Sequence, residues 1–331
     1  MKAAVYYENG GPEVLKYEEV PDPKCPADGV VVNVEVISLE GGDTLHRSRS
    51  PFTDRPHIVG YQGAGTVREC GPDARGLAVG DRVVFVGPNG SHAERVAVRG
   101  ATAWKVPAGA DLTTIACVPV AFGTAHEALF GLGRLAKGQR VLVHAGGGGV
   151  GLAAIQLAKA AGAEVLTTAS TDEKLARLRD FGASHGINYR TSRLDEAVAR
   201  AVGKDGVDLV VDPVGGKTLQ DSVACLRYRG RIVNLGFAGR DFGTFNQLPL
   251  WGLNASLIGM SLTASLANEH ARMYGVIAEC IARVTRGELR VVIDRTFALS
   301  DAAAAHAYVE GRSAFGRVVM LPKGVSSGEP Q

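Results

Sequence analysis

Arg140-Val141-Leu142-Val143-His144-Ala145-Gly146-Gly147-Gly148-Gly149-Val150-Gly151 carries a short apolar strand through four glycines into a helix. That order decides the fold. A dinucleotide pyrophosphate needs close backbone approach, which glycine permits, and free N–H groups at a helix N-terminus. Gly148, Gly149 and Val150 stand where such amides are expected, and Gly151 lets the helix pack tightly on the strand. Glycine turns are common on their own, and a structural turn without a ligand is the alternative. Here the strand, turn and helix follow in the order of the dinucleotide fingerprint.

The flanking sequence repeats the pattern. A helix is predicted over 150–161, with Leu152, Ile155, Gln156 and Lys159 at helical spacing. Strands are predicted over 164–168, 207–212, 231–235 and 256–260, with helices over 172–181 and 219–226. Such alternation requires right-handed crossovers and a parallel sheet covered by helices on both faces. Before residue 120 the chain is rich in Val, Gly and Pro. Strands over 2–7, 30–37 and 82–86 lie between turns such as Gly10-Gly11-Pro12 and Gly87-Pro88-Asn89-Gly90. A mostly β domain is expected there. A helix over 269–287, strands over 292–299 and 317–321 and a helix over 301–310 are expected to fold back onto it. The polar tail 323–331 is expected to be disordered.

The end of the strand after the glycine turn bears on the cofactor. NAD-dependent proteins place Asp or Glu there for the ribose hydroxyls. This chain has Ala169-Ser170-Thr171, with Lys174 one turn on and Tyr189 and Arg190 after the next strand. A lysine and hydroxyls complement a 2′-phosphate, so NADPH is preferred to NADH. Two other readings stay open. Ser170 and Glu173 fit a capping box, and Asp172 could reach the ribose.

Composition excludes several classes. The 331 residues are 46% hydrophobic and 21% charged, with a formal net charge of +2 and no long basic run, so nucleic acid is not an expected partner. No uncharged apolar run approaches the roughly 20 residues that cross a bilayer. Five scattered cysteines without a CxxC pair fit free thiols in a reducing compartment. The opening MKAAVYYENGG has no signal-peptide core, so the expected location is the cytoplasm.

Several motifs together resemble the quinone oxidoreductase, or zeta-crystallin-like, branch of the medium-chain dehydrogenase/reductases. They are Gly10-Gly11-Pro12-Glu13-Val14-Leu15, Gly80-Asp81-Arg82-Val83, the 144–151 turn, Gly186-Ile187-Asn188-Tyr189-Arg190 and Gly230-Arg231-Ile232-Val233. The resemblance spans nearly the whole chain. It implies a Rossmann domain over 122–262 inserted into a GroES-like catalytic domain over 1–121 and 263–322, with the active cleft between them. It implies a homodimer joined through the edge strand near 256–262. It also implies cofactor contacts at Thr124, Ser170, Lys174, Tyr189, Gly236, Phe237 and Arg312.

Zinc alcohol dehydrogenases of the superfamily carry Cys where this chain has Glu40, and Gly-His-Glu where it has Gly60-Tyr61-Gln62. Catalytic zinc takes three protein ligands, and Tyr61 and Gln62 are poor ones, so no metal is expected. His46, His57 and His92 show no ligand spacing and are expected to be satisfied or exposed. Without a metal to acidify an alcohol, hydride addition to an electrophilic acceptor is the easier reaction. The expected substrate is a small conjugated carbonyl compound, a quinone or an enone. Reduction of an enoyl or 2-alkenal double bond is the second reading, and a non-catalytic NADPH-binding protein the third. Many relatives have Asn where Glu40 stands. Glu40 could orient substrate, bond the nicotinamide ribose, pair with an arginine, or be a structural carboxylate. Tyr61 is a candidate proton donor or a packing residue. Asp43 and Asp81 are expected to hold turns.

Overall fold

The computed structural model describes residues 1–74 and 76–323; of the tail expected over 323–331, all but Lys323 lies outside them. The chain forms two compact units, one of residues 121–277 and one joining residues 1–120 to residues from 278 onward.

The unit 121–277 holds a six-stranded parallel sheet, in the order His185–Asn188, Glu164–Ala169, Arg140–Val143, Val207–Asp212, Leu226–Asn234, Ser256–Gly259. The order reverses between the third and fourth strands, the doubly wound α/β arrangement of the Rossmann fold. The central strands Arg140–Val143 and Val207–Asp212 are buried almost throughout because helices cover both faces. Leu142, Leu166, Val210 and Ile232 are fully buried in one cluster, and each such side chain stabilises the unit by roughly 1.5–3 kcal/mol. The helix after the glycine turn spans Gly149–Ala160 and stops where Gly162 takes φ +78°. A Cβ at Gly151 would lie 2.4 Å from the Ala145 carbonyl oxygen, so the helix can approach the turn only with glycine there.

Two expectations need correction. The 219–226 helix is Gly216–Val223, because Leu226 already pairs with Val207 in the sheet. The 269–287 helix is His270–Thr285, and a separate short helix that was not expected, Leu262–Asn268, precedes it. Glu269 leaves the helical backbone at φ −131° and directs its carboxylate to Arg272.

In the other unit the strand Gly29–Leu39 pairs antiparallel with Gln62–Cys70, Arg95–Arg99 and Arg317–Leu321. Arg317–Leu321 runs parallel to Ile293–Ala298. A second sheet joins Lys2–Tyr6 to Lys16–Glu19 and His57–Ile58. The apolar core between these elements includes Val30, Val32, Ile37, Val83, Phe85 and Met320.

A helix that was not expected, Gly41–Arg49, follows the central strand. Its Arg47 is fully buried. Arg47 donates to the Gly10 carbonyl at 3.2 Å and to Glu310 at 2.5 Å, and it lies 2.9 Å from His306 Nδ1. His306 Nε2 lies 3.0 Å from His92 Nε2. Arginine can only donate, so His306 Nδ1 accepts. The Nε2–H of His306 then donates to His92, which is left with its proton on Nδ1 beside Ser91. His92 is thus satisfied, as expected, whereas buried His57 Nε2 has no partner. Asp81 holds a turn, accepting the Ala78 N–H at 2.8 Å.

Candidate active site

In the unit 121–277, the loops that follow the parallel strands all leave from one edge of the sheet. The glycine turn, Ser170, Lys174, Tyr189, Gly236 and Phe237 therefore share that edge. Gly148 is the N-cap of the glycine-turn helix, and no side chain caps it. No acceptor among the described residues takes the N–H of Gly149, Val150 or Gly151. The Gly148 N–H, by contrast, donates to the Ala145 carbonyl at 3.0 Å. The expectation for Gly148 is corrected accordingly. It shapes the turn, and the amides open to an anion are those of Gly149, Val150 and Gly151.

The next helix, Asp172–Arg179, is capped by Thr171, whose hydroxyl accepts the Lys174 N–H at 3.3 Å. The Ser170–Glu173 capping box therefore does not form, because the last extended residue is Thr171. Asp172 accepts from Asn188 at 2.9 Å, which occupies the carboxylate that could have met a ribose. Tyr189 is 49% exposed, and exposed Phe237 stacks on Phe242 with ring centres 5.0 Å apart. Thr124 is buried on the helix Val118–His126. Arg312 lies in the other unit, exposed, at φ +56°.

Glu40 and Tyr61 belong to a buried polar cluster in that other unit. Glu40 ends the central strand and caps the helix Gly41–Arg49. Its Oε1 accepts from Gln62 Nε2 at 2.9 Å, from Ser38 Oγ at 3.4 Å and from Arg317 Nη2. Gln62 is fixed in turn, because its Oε1 accepts the Val120 N–H at 2.6 Å. Of the readings left open for Glu40, the arginine pair is formed, and so is a structural contact, because the Glu40 side chain and the Asp43 N–H make one half of a capping box. Burial pushes the Glu40 carboxyl above its ordinary value while Arg317 pulls it back. A guanidinium does not give up its proton, so Arg317 stands as a cation beside Glu40.

Asp43, fully buried, accepts the Glu40 N–H at 2.8 Å and so fixes the start of the helix. Burial, with the nearby Glu40 charge adding, pushes Asp43 well above the carboxylate range, and its Oδ1 has no partner. The Tyr61 hydroxyl lies against the backbone of Gly42. A Cβ at Gly42 would lie 2.4 Å from that oxygen. Burial first, then Glu40 and Asp43, raise Tyr61 well above the ordinary phenol value, so it keeps its proton. Sequence reasoning missed Asp43 and Arg317 as members of this cluster. Arg317 is 277 residues from Glu40, and no local pattern joins them.

Two family models match the chain: the alcohol dehydrogenase GroES-like domain over residues 26–108, and the zinc-binding dehydrogenase over residues 149–283. A 2-haloacrylate reductase from a Burkholderia species is 33% identical over 331 residues, covering 97% of this chain and 99% of that protein. The human quinone oxidoreductase is 30% identical, covering 97% and 98%. The structure of an Escherichia coli quinone oxidoreductase complexed with NADPH superposes with a TM-score of 0.92 at 27% identity, covering 97% of this chain and all of that one. No helix among the described residues is long and apolar enough to cross a membrane. With two matched family models and relatives above 30% identity along almost its whole length, the chain belongs to the quinone oxidoreductase branch of the medium-chain dehydrogenase/reductase superfamily, and it is an oxidoreductase.

Proposed function

We propose that this oxidoreductase uses NADPH to reduce a small conjugated carbonyl compound, a quinone or an enone, without zinc. The observation that carries the reading is the row of open amides at Gly149, Val150 and Gly151, next to a strand end that has Ser170 where a carboxylate would repel a 2′-phosphate. Those amides fit the pyrophosphate. Ser170, Lys174 and Tyr189 would surround the 2′-phosphate, and Thr124, Gly236, Phe237 and Arg312 would make the remaining cofactor contacts. Residues 122–262 form the cofactor domain in this reading, and residues 1–121 with 263–322 the catalytic domain.

The donors around Glu40 do not fit zinc. Its Oε1 is held by Arg317 and Gln62, and both ends of the Gln62 amide are bonded. Tyr61 keeps its proton. No group of three His, Cys, Asp or Glu among the described residues could hold a metal. A positive guanidinium beside the one available carboxylate opposes a second cation.

Bound NADPH supplies hydride to an acceptor whose conjugation spreads the added charge. The chain must position that acceptor, shield it and complete the reduction with one proton. Tyr61, protonated and lying against Gly42, is suited to donate a hydrogen bond to the acceptor oxygen, with water supplying the proton. Glu40 is suited to orient the reacting groups. Quinone and 2-haloacrylate, named for two relatives, are both electrophilic conjugated systems. The haloacrylate likeness favours a second reading, reduction of a carbon–carbon double bond.

Steady-state rates with a quinone, an enone and an enoyl thioester separate the two. Turnover confined to a simple alcohol with added zinc defeats both, and tight NADPH binding without turnover favours a non-catalytic protein. We further propose a homodimer across the edge strand Ser256–Gly259, near which Leu257 is 38% and Trp251 73% exposed. Light scattering during gel filtration checks it. The five free cysteines support a cytoplasmic location.

A further inference from the structure

The side-chain donors around Glu40 are one-sided. Arg317 Nη2, Gln62 Nε2 and Ser38 Oγ all reach Oε1. No side chain among the described residues donates to Oε2, so even with the Asp43 N–H of the capping box the carboxylate keeps a lone pair there for a further donor. Arg317 arrives by strand register. Val318 faces Leu39 and Val319 faces Ser38 in the antiparallel ladder, so the next position along sets Arg317 against Glu40. The same Nη2 donates to Ser38 Oγ at 2.7 Å and to the Leu39 carbonyl at 2.9 Å. The three acceptors converge on one guanidinium nitrogen, which holds the charge against the carboxylate it faces. Both side chains are more than nine-tenths buried. The other titratable groups around the pair are Asp43, Tyr61 and Cys117, and none of them is a cation. Arg317 is thus the one charge that compensates a carboxylate here.

We infer that Arg317 is a positioning residue of the reaction: it keeps Glu40 ionised and oriented, with Oε2 offered as hydrogen-bond acceptor to a hydroxyl or amide of bound cofactor or substrate. The role rests on the reading that Glu40 stands at the site of reduction. Arg317 touches neither cofactor nor substrate in this arrangement; it acts through Glu40. Without it, a carboxyl this deeply buried takes up a proton, and an acceptor becomes a donor.

Four variants test this: Glu40→Gln, Arg317→Met, Arg317→Lys and the double variant Glu40→Gln/Arg317→Met. Each is read by kcat and KM for NADPH-driven reduction. The ¹³C carboxyl resonance of Glu40, assigned by its loss in Glu40→Gln, reports ionisation independently of turnover. Arg317→Met is expected to protonate Glu40 at neutral pH and to lower kcat by about 100-fold with the KM for NADPH little changed. Arg317→Lys should keep the charge and recover part of kcat. The double variant leaves no unpaired buried charge and so should fold, and it should remain as slow as Glu40→Gln.

Wild-type kcat in the double variant would make the pair purely structural and overturn the positioning role alone. A Glu40 that stays ionised in Arg317→Met would overturn it too. A wild-type protein that reduces no acceptor would bring down the reductase reading first, and the positioning role with it.

Discussion

The two units build their sites from opposite materials. At the glycine turn the groups facing outward are main-chain amides, and side chains are kept away. Around Glu40 the groups are side chains, drawn from the strands Gly29–Leu39, Gln62–Cys70 and Arg317–Leu321 and the start of a helix, and packed out of water. A backbone site depends on residues a few positions apart and tolerates no added bulk. A side-chain site depends on strand register across the whole chain and on a balance of buried charge. The first should fail when a side chain is added, the second when one is taken away.

The largest expected effect follows from adding one. Gly149→Asp places a carboxylate at the open amides. Like charge against the pyrophosphate should weaken NADPH by about a thousandfold or more. Fluorescence or calorimetric titration measures the loss, with circular dichroism showing that the fold persists. Affinity that survives would move the phosphates elsewhere and erase the contrast.

The unit 121–277 also contains a buried carboxylate, which sharpens the comparison. Glu127, 1% exposed, binds Arg272 through two bonds of 2.9 Å each, and Arg272 is 38% exposed. This pair ties the π-helical turn Glu127–Gly131 to the helix His270–Thr285 and reaches no open amide. Arg272→Ala leaves Glu127 buried without its cation. A loss of about 2–3 kcal/mol in chemical denaturation is expected, at the low end for a buried pair because water reaches Arg272. NADPH affinity of the folded protein should hold. A drop in affinity larger than the drop in stability would show that this pair, too, serves the site.

The same contrast explains what could be read from sequence. Strand and helix periodicities, and the glycines between them, are local, so residues 140–169 announced both a fold and an anion site. Errors there were of one residue. Ser170 and Thr171 can each cap a helix, and only the backbone angle at 171 chooses between them. Gly148 looks like its neighbours until its N–H meets Ala145. The helix Gly41–Arg49 begins Gly-Gly-Asp-Thr, poor helix formers, and is fixed by Asp43 bonding Glu40, with the Tyr61 hydroxyl packed against Gly42. Arg317 reads as an ordinary strand-end arginine until register sets it opposite Glu40.

Unit 1–120 with 278 onward also buries a network that must stay neutral in its imidazoles. Burial lowers His92 to about 3, and burial, then His92 and Arg47, lower His306 well below its ordinary value. A folded-state value below the unfolded one means that the unfolded chain binds more protons as pH falls past about 6.5. Stability should therefore be full above that pH and decline steadily toward about 3. Arg47 and Glu310 lie against the same imidazoles, and Asp43, whose carboxyl burial holds well above the ordinary range, takes up its proton more readily in the folded chain and so works against the fall. Melting temperatures between pH 7 and pH 4 test it, and His92→Gln should flatten the upper part of the decline. An unchanged slope in that variant would remove the His92–His306 pair as the source of the acid loss.

The smallest expected effect concerns the one charged side chain among those proposed around the 2′-phosphate, Ser170, Lys174 and Tyr189. If main-chain amides supply most of the phosphate binding, Lys174 adds only discrimination. Lys174→Ala should then weaken NADPH by about tenfold, the scale of one charge-assisted contact partly exposed to water, and leave NADH within about twofold. Its N–H serves the Thr171 cap through the backbone, so alanine keeps the helix start intact. Equal losses for the two nucleotides, measured by the same titration, would remove the lysine from the 2′-phosphate and leave Ser170 and Tyr189 to account for it. A loss for NADPH approaching that of Gly149→Asp would mean that this site, like the Glu40 cluster, depends on a single side-chain charge.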